Sequence, residues 1–92
     1  MAHVLAEYGE VVAARAGIAF RARACALPTR SGLWKGWIEF NPTNGDPTFR
    51  SPQETMQSSR TGVMNWAINM TPNELDLALD RALGRLGYSL GR

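Results

Sequence analysis

The sequence is poor in the residues that most enzyme and metal chemistry requires. It has one cysteine, Cys25, and one histidine, His3. A single cysteine closes no internal disulfide, which suits a reducing compartment. One histidine and one cysteine also build no ordinary zinc site within a chain. Cys25 reads as a small buried hydrophobe, because its sole histidine base would have to fold back over the sheet from position 3. His3 itself reads as a solvated residue near the terminus. No apolar run approaches the roughly 20 residues that span a bilayer, so no membrane partner is expected. The opening residues, MAHVLAEYGEVV, have no basic stretch ahead of their apolar ones and carry Glu7 and Glu10. No secretion signal is expected there, and the expected compartment is the cytoplasm. Glycines stand singly, without a phosphate-cradling run. Turn chemistry accounts for Asn41, Asn44 and Asp46 near Glu39 without a calcium loop. We therefore expect no catalytic residue, no metal, no cofactor and no small-molecule substrate.

Charge of either sign is also scarce overall. Ten Lys and Arg against eight Asp and Glu leave a formal net charge of +2. The distribution is uneven: Arg15, Arg21, Arg23, Arg30 and Lys35 all lie between Glu10 and Glu39, with no acid among them. That is a local basic segment, not the signature of a general polyanion binder. With 92 residues, 45% hydrophobic and 20% charged, the chain is expected to form one globular domain over 1–92, with 1–9 as a loose N-terminal segment.

The first half carries strand periodicity. In 18–27, IAFRARACAL, the residues Phe20, Ala22, Ala24 and Ala26 share one face, and Arg21, Arg23, Cys25 and Leu27 share the other. After the turn residues of PTRSG comes LWKGWIEF. Its Trp34, Gly36, Ile38 and Phe40 lie on one face, opposite Lys35, Trp37 and Glu39. Asn44-Gly45 suits a tight hairpin turn, and Thr48–Ser51 is expected to return beside the second strand. Residues 4–15 fit either a helical stripe interrupted by Gly9 or a first strand from about Glu10. The strand is favoured because a short loop would pair it with 18–27.

The second half carries helix signals. A short helix is expected from Ser58 or Ser59 to about Asn69, burying Val63, Trp66, Ala67 and Met70. In MTPNEL, Thr71 is the N-cap, Pro72 the first helical residue and Glu74 the closing member of a capping box. Leu75, Leu79, Ala82, Leu83 and Leu86 follow as an apolar stripe, with acids early and Arg81 and Arg85 late, as the helix dipole favours. The fold class expected is α+β: an antiparallel three- to four-stranded meander with two consecutive C-terminal helices packed on one face.

From about Leu33 onward the chain resembles a family of small uncharacterised bacterial proteins. The residues that carry the resemblance are Trp34, Gly36, Trp37, Ile38, Glu39 and Phe40; Glu54, Thr55, Gln57 and Arg60; Trp66 and Ala67; and Thr71, Pro72 and Leu75. It departs from the family's usual pattern at Ser58-Ser59 and at Asn69. The family has no settled activity, so the resemblance implies a fold and a bacterial source but no reaction.

Two helices cover one face of such a sheet. The other is left with Arg21, Arg23, Lys35, Trp37 and Glu39, an aromatic and basic mixture common at recognition surfaces. The expected function is a non-enzymatic protein-interaction module or accessory subunit, binding a protein partner or a second copy through that exposed face. The alternative is a single-stranded nucleic-acid (RNA) module, with Trp37 stacking a base and the cations holding phosphate. Against both stands a structural reading in which Trp37 lies as a lid over arginine stems. A second contact is expected at Glu54, Gln57 and Arg60, where QETMQSSR joins sheet to helix. Its structural alternative is helix capping with a Glu54–Arg60 pair.

Overall fold

The alternation read along 18–27 and 34–40 is realised as two long central strands. The computed structural model describes residues 2–15, 17–45 and 47–91, with side chains at all of these except 10–14 and 85–91. The elements are β1 (His3–Arg15), β2 (Ile18–Pro28), β3 (Trp34–Pro42), β4 (Phe49–Arg50), β5 (Thr55–Gln57), α1 (Arg60–Ile68) and α2 (Pro72–Gly91). Strand order is β1-β2-β3-β4, all antiparallel, with β5 also paired to β3. The α+β meander with two C-terminal helices is therefore the observed fold. Gly17 and Gly45 link neighbouring strands at φ of 80° and 88°, a region open to glycine at little cost.

One expectation about the sheet needs correction and a second is extended. Residues 3–9, expected within a loose segment, belong to a strand, because His3–Arg15 runs as one strand along β2. Register shifts between Val4 and Ala6 and between Tyr8 and Ala13 break its alternation, so the sequence hides it. His3 is exposed, as expected, and its ring meets Trp34 edge-on at 5.4 Å. The second adds to the expectation: the return strand expected at Thr48–Ser51 is present, and a further short strand follows it beside β3. Phe49–Arg50 pairs with Glu39 and Phe40, and Thr55–Gln57 pairs with Trp34 to Gly36. Between the two pieces, buried Ser51 takes over the ladder. Its Oγ accepts from the Ile38 amide at 3.0 Å, and its own amide donates to the Ile38 carbonyl at 2.9 Å. Pro52, which has no amide hydrogen, follows and stops the pairing.

One face of the sheet joins the helices in the core. Phe20, Ala22, Ala24, Ile38 and Phe40 meet Ala67 of α1 and Leu75, Ala78, Leu79 and Ala82 of α2. Trp66 lies directly on Gly36: a Cβ there would stand 2.8 Å from Trp66 Cζ3. Ser59 caps α1, accepting from the Gly62 amide at 3.0 Å. The capping box of α2 is closed from both sides, Glu74 N–H to Thr71 Oγ1 at 3.1 Å and Thr71 N–H to Glu74 Oε1 at 2.9 Å. Leu83 packs partly buried against the core, whereas the expected stripe position Leu86, with Arg85, lies outside the described side chains, as Asp46 lies outside the described residues.

Ion pairs hold α2 at two places on the sheet. Arg15 of β1 reaches Asp76 at 2.9 Å and Asp80 at 2.7 Å. Arg81 takes Glu54 from the β4–β5 connection, with Nε to Oε2 at 2.9 Å. The expected Glu54–Arg60 pair is thus replaced by a partner 27 residues away. No described helix is long and apolar enough to cross a membrane.

Candidate recognition face

The register places Arg21, Arg23, Lys35, Trp37 and Glu39 on the face opposite the helix-covered core. Side chains there form cross-strand rows. Leu27, Lys35 and Met56 make one; Val4, Cys25 and Trp37 make the next. Glu7, Arg23, Glu39 and Arg50 make a third, in which charge alternates across four strands. Arg21 and Asn41 close the face. It is therefore zoned, with an apolar flank where Val4 is 49% and Met56 42% exposed, and a charged flank beyond Trp37.

Trp37 is not exposed as the sequence suggests: it is 2% exposed. Arg50 lies over it, with its guanidinium carbon 3.9 Å from the centroid of the indole. A cation over an indole face is attracted by the ring quadrupole, by about 0.5–1 kcal/mol at an exposed site and more when desolvated. Trp37 is thus not itself a lid over arginine stems; it is covered by an arginine of the split fourth strand.

Below the lid, polar groups are matched. The Trp37 indole N–H donates to Glu39 Oε2 at 3.2 Å, and Arg23 Nε donates to Glu39 Oε1 at 2.9 Å. Burial acts to raise the Glu39 pKa, but the bonds from Trp37 and Arg23 outweigh it and hold the carboxyl below its usual range. Cys25, opposite Trp37, is 2% exposed. Burial, helped by the Glu39 charge, pushes its thiol up to about 11, so it stays protonated at neutral pH. His3 pairs with Ala26 and meets Trp34, which places it on the sheet's other face. The two residues are not brought together. Among the described residues, no group of three or more His, Cys, Asp or Glu gathers as metal ligands.

The break in the fourth strand opens a cleft of about 440 Å³ beside Trp37, lined by Lys35, Trp37, Arg50, Ser51, Pro52 and Gln53. Trp37 has no register partner on that side among the described residues, since the pairings stop at Glu39 and resume at Gly36. The expected second contact is not assembled into a site. Glu54 is turned to Arg81, and half-buried Gln57 donates to Thr55 Oγ1 at 2.6 Å. Arg60 stands exposed at the start of α1.

Arg50, Met56 and Val4 escape the sequence reading. Arg50 lies in the expected strand 48–51, but its face depends on a register set by the turn at 43–47. Met56 sits in a stretch that reads as a junction, and Val4 in one broken by bulges. Compared with protein-family models, curated proteins and solved structures, the chain has no match in any of the three.

Proposed function

We propose that this chain is a small non-enzymatic interaction module, an accessory subunit of the bacterial cytoplasm, that recognises a protein partner through the helix-free face of its sheet. The observation that carries this reading is the zoning of that face. Exposed Val4 and Met56 flank a sealed Trp37, and cations border it. Apolar anchors beside a pre-ordered polar border are the usual anatomy of a protein interface. The resemblance to a small bacterial family belongs to the same proposal.

Single-stranded nucleic acid is the weaker reading. A stacking platform needs an open aromatic face, whereas Arg50 occupies the outer face of Trp37. Arg23 is also engaged by Glu39. What favours it is the set Arg21, Lys35 and Arg50, which make no ion pair among the described residues.

Affinity capture from nuclease-treated bacterial lysate tests the proposal, using wild type, Met56→Asp on the open face and Leu77→Asp on α2, where Leu77 is 45% exposed. A protein retained by wild type and Leu77→Asp but lost by Met56→Asp is the expected result. Capture that disappears with nuclease favours nucleic acid. Equal retention by all three contradicts the assignment of this face.

A further inference from the structure

We propose that the cleft beside Trp37 is a carboxylate subsite, taking an acidic side chain or chain end of the partner. This deepens the function proposed above and rests on it. Three observations converge. First, the lining combines two cations, Lys35 and Arg50, with apolar and neutral residues, and no acid lines it. Second, the in-register acid is already used: one Glu39 oxygen takes Arg23 and the other takes the Trp37 indole. Arg50, although opposite Glu39 in register, forms no ion pair or hydrogen bond among the described residues. Third, Arg50 is already placed over Trp37, its guanidinium carbon 3.9 Å from the ring centroid. A guanidinium presents its N–H groups in a fixed fork that matches carboxylate bidentately, and holding it in place beforehand reduces the entropy lost on binding.

The cleft owes its existence to the break in the strand. The Ser51 and Glu54 amides donate to the Ile38 and Gly36 carbonyls; had Pro52 and Gln53 between them continued the ladder, side chains of the fourth strand would fill the space beside Trp37. Instead Ser51 turns inward to Ile38 and its hydroxyl donates to the Pro52 carbonyl at 2.9 Å. A gap results beside the sealed Trp37, with Lys35 and Arg50 in its lining.

The test uses a glutamate-rich octapeptide with blocked ends and its glutamine counterpart. Each is titrated into ¹⁵N-labelled full chain while the three tryptophan indole signals are followed. The Glu peptide should move the Trp37 signal and leave Trp66 in place, and the Gln peptide should do neither. Arg50→Met should weaken binding at least about tenfold, as loss of a charge-assisted pair does. Lys35→Met, whose stem is half-buried rather than stacked, should weaken it less, and Arg60→Met not at all. Equal response to both peptides, or wild-type affinity in both Arg50→Met and Lys35→Met, overturns the subsite. So does a thymidine octamer that binds more tightly than the Glu peptide. If the Glu peptide does not bind while capture of a protein still depends on Met56, the subsite is wrong and the interface stands. If the peptide binds but no protein is captured, the interface is wrong.

Discussion

Arg50 lies over Trp37 with 3.9 Å between its guanidinium carbon and the ring centroid, on a face that no helix of the core covers. The tryptophan that periodicity places outside is only 2% exposed. Trp37→Ala should therefore behave as a core truncation and cost about 3–5 kcal/mol in urea denaturation. Arg50→Ala should cost about 0.5–1 kcal/mol and open the indole to a polar quencher. A Trp37→Ala protein as stable as wild type would show that the lid does not form in solution.

Gly36 and Trp66 make a close contact between sheet and helix. A Cβ on Gly36 would meet Trp66 Cζ3 at 2.8 Å and Thr55 Cγ2 at 3.0 Å. Gly36→Ala should cost about 1–3 kcal/mol, as overpacking does. In a Trp66→Leu background the same substitution should cost much less, a coupling that a double-mutant cycle measures. Full additivity would mean the ring does not rest there.

Thr71 and Glu74 share reciprocal capping bonds. Thr71→Ala should lower stability by about 1 kcal/mol. Thr71→Ser, which retains the acceptor, should recover most of the loss. An unchanged midpoint and slope for Thr71→Ala would place the helix start elsewhere.

One buried and one partly buried group predict an alkaline limit. The Tyr8 hydroxyl donates to the Ala67 carbonyl at 2.6 Å, and burial, with the Glu74 charge, raises its pKa from 10.0 to about 12. Cys25 is raised from 9.0 to about 11. A pKa raised on folding gives stability that is complete below the unfolded value and is lost as pH rises through the folded one. The melting temperature should hold to about pH 9 and then fall through pH 12, with the upper part of the fall absent in Tyr8→Phe. Cys25 should resist thiol reagents at neutral pH until the protein unfolds. Rapid labelling of the native protein would contradict its burial.

The faces of β2 and β3 were legible in the sequence because both strands alternate strictly and pair without a bulge from Phe20–Pro42 to Pro28–Trp34. The α2 start was legible because its capping box is local. What escaped depends on distant contacts. The first part of β1 is hidden by its register shifts, and Glu54 finds Arg81 only after α2 packs. The lid on Trp37 requires Arg50 to be in register with Glu39, which a reading of the third strand alone does not supply. The five residues expected on the open face do share it, but the residue that controls access to Trp37 was not among them.

Arginine footprinting tests the central proposal most directly. The chain is treated with an arginine-specific reagent, alone and bound to its captured partner, and modification is read by mass spectrometry. The account predicts that the partner protects Arg21 and Arg50 on the open face while Arg60, at the start of α1, stays as reactive as in the free chain. Protection of Arg60 with Arg21 and Arg50 still fully reactive would contradict it.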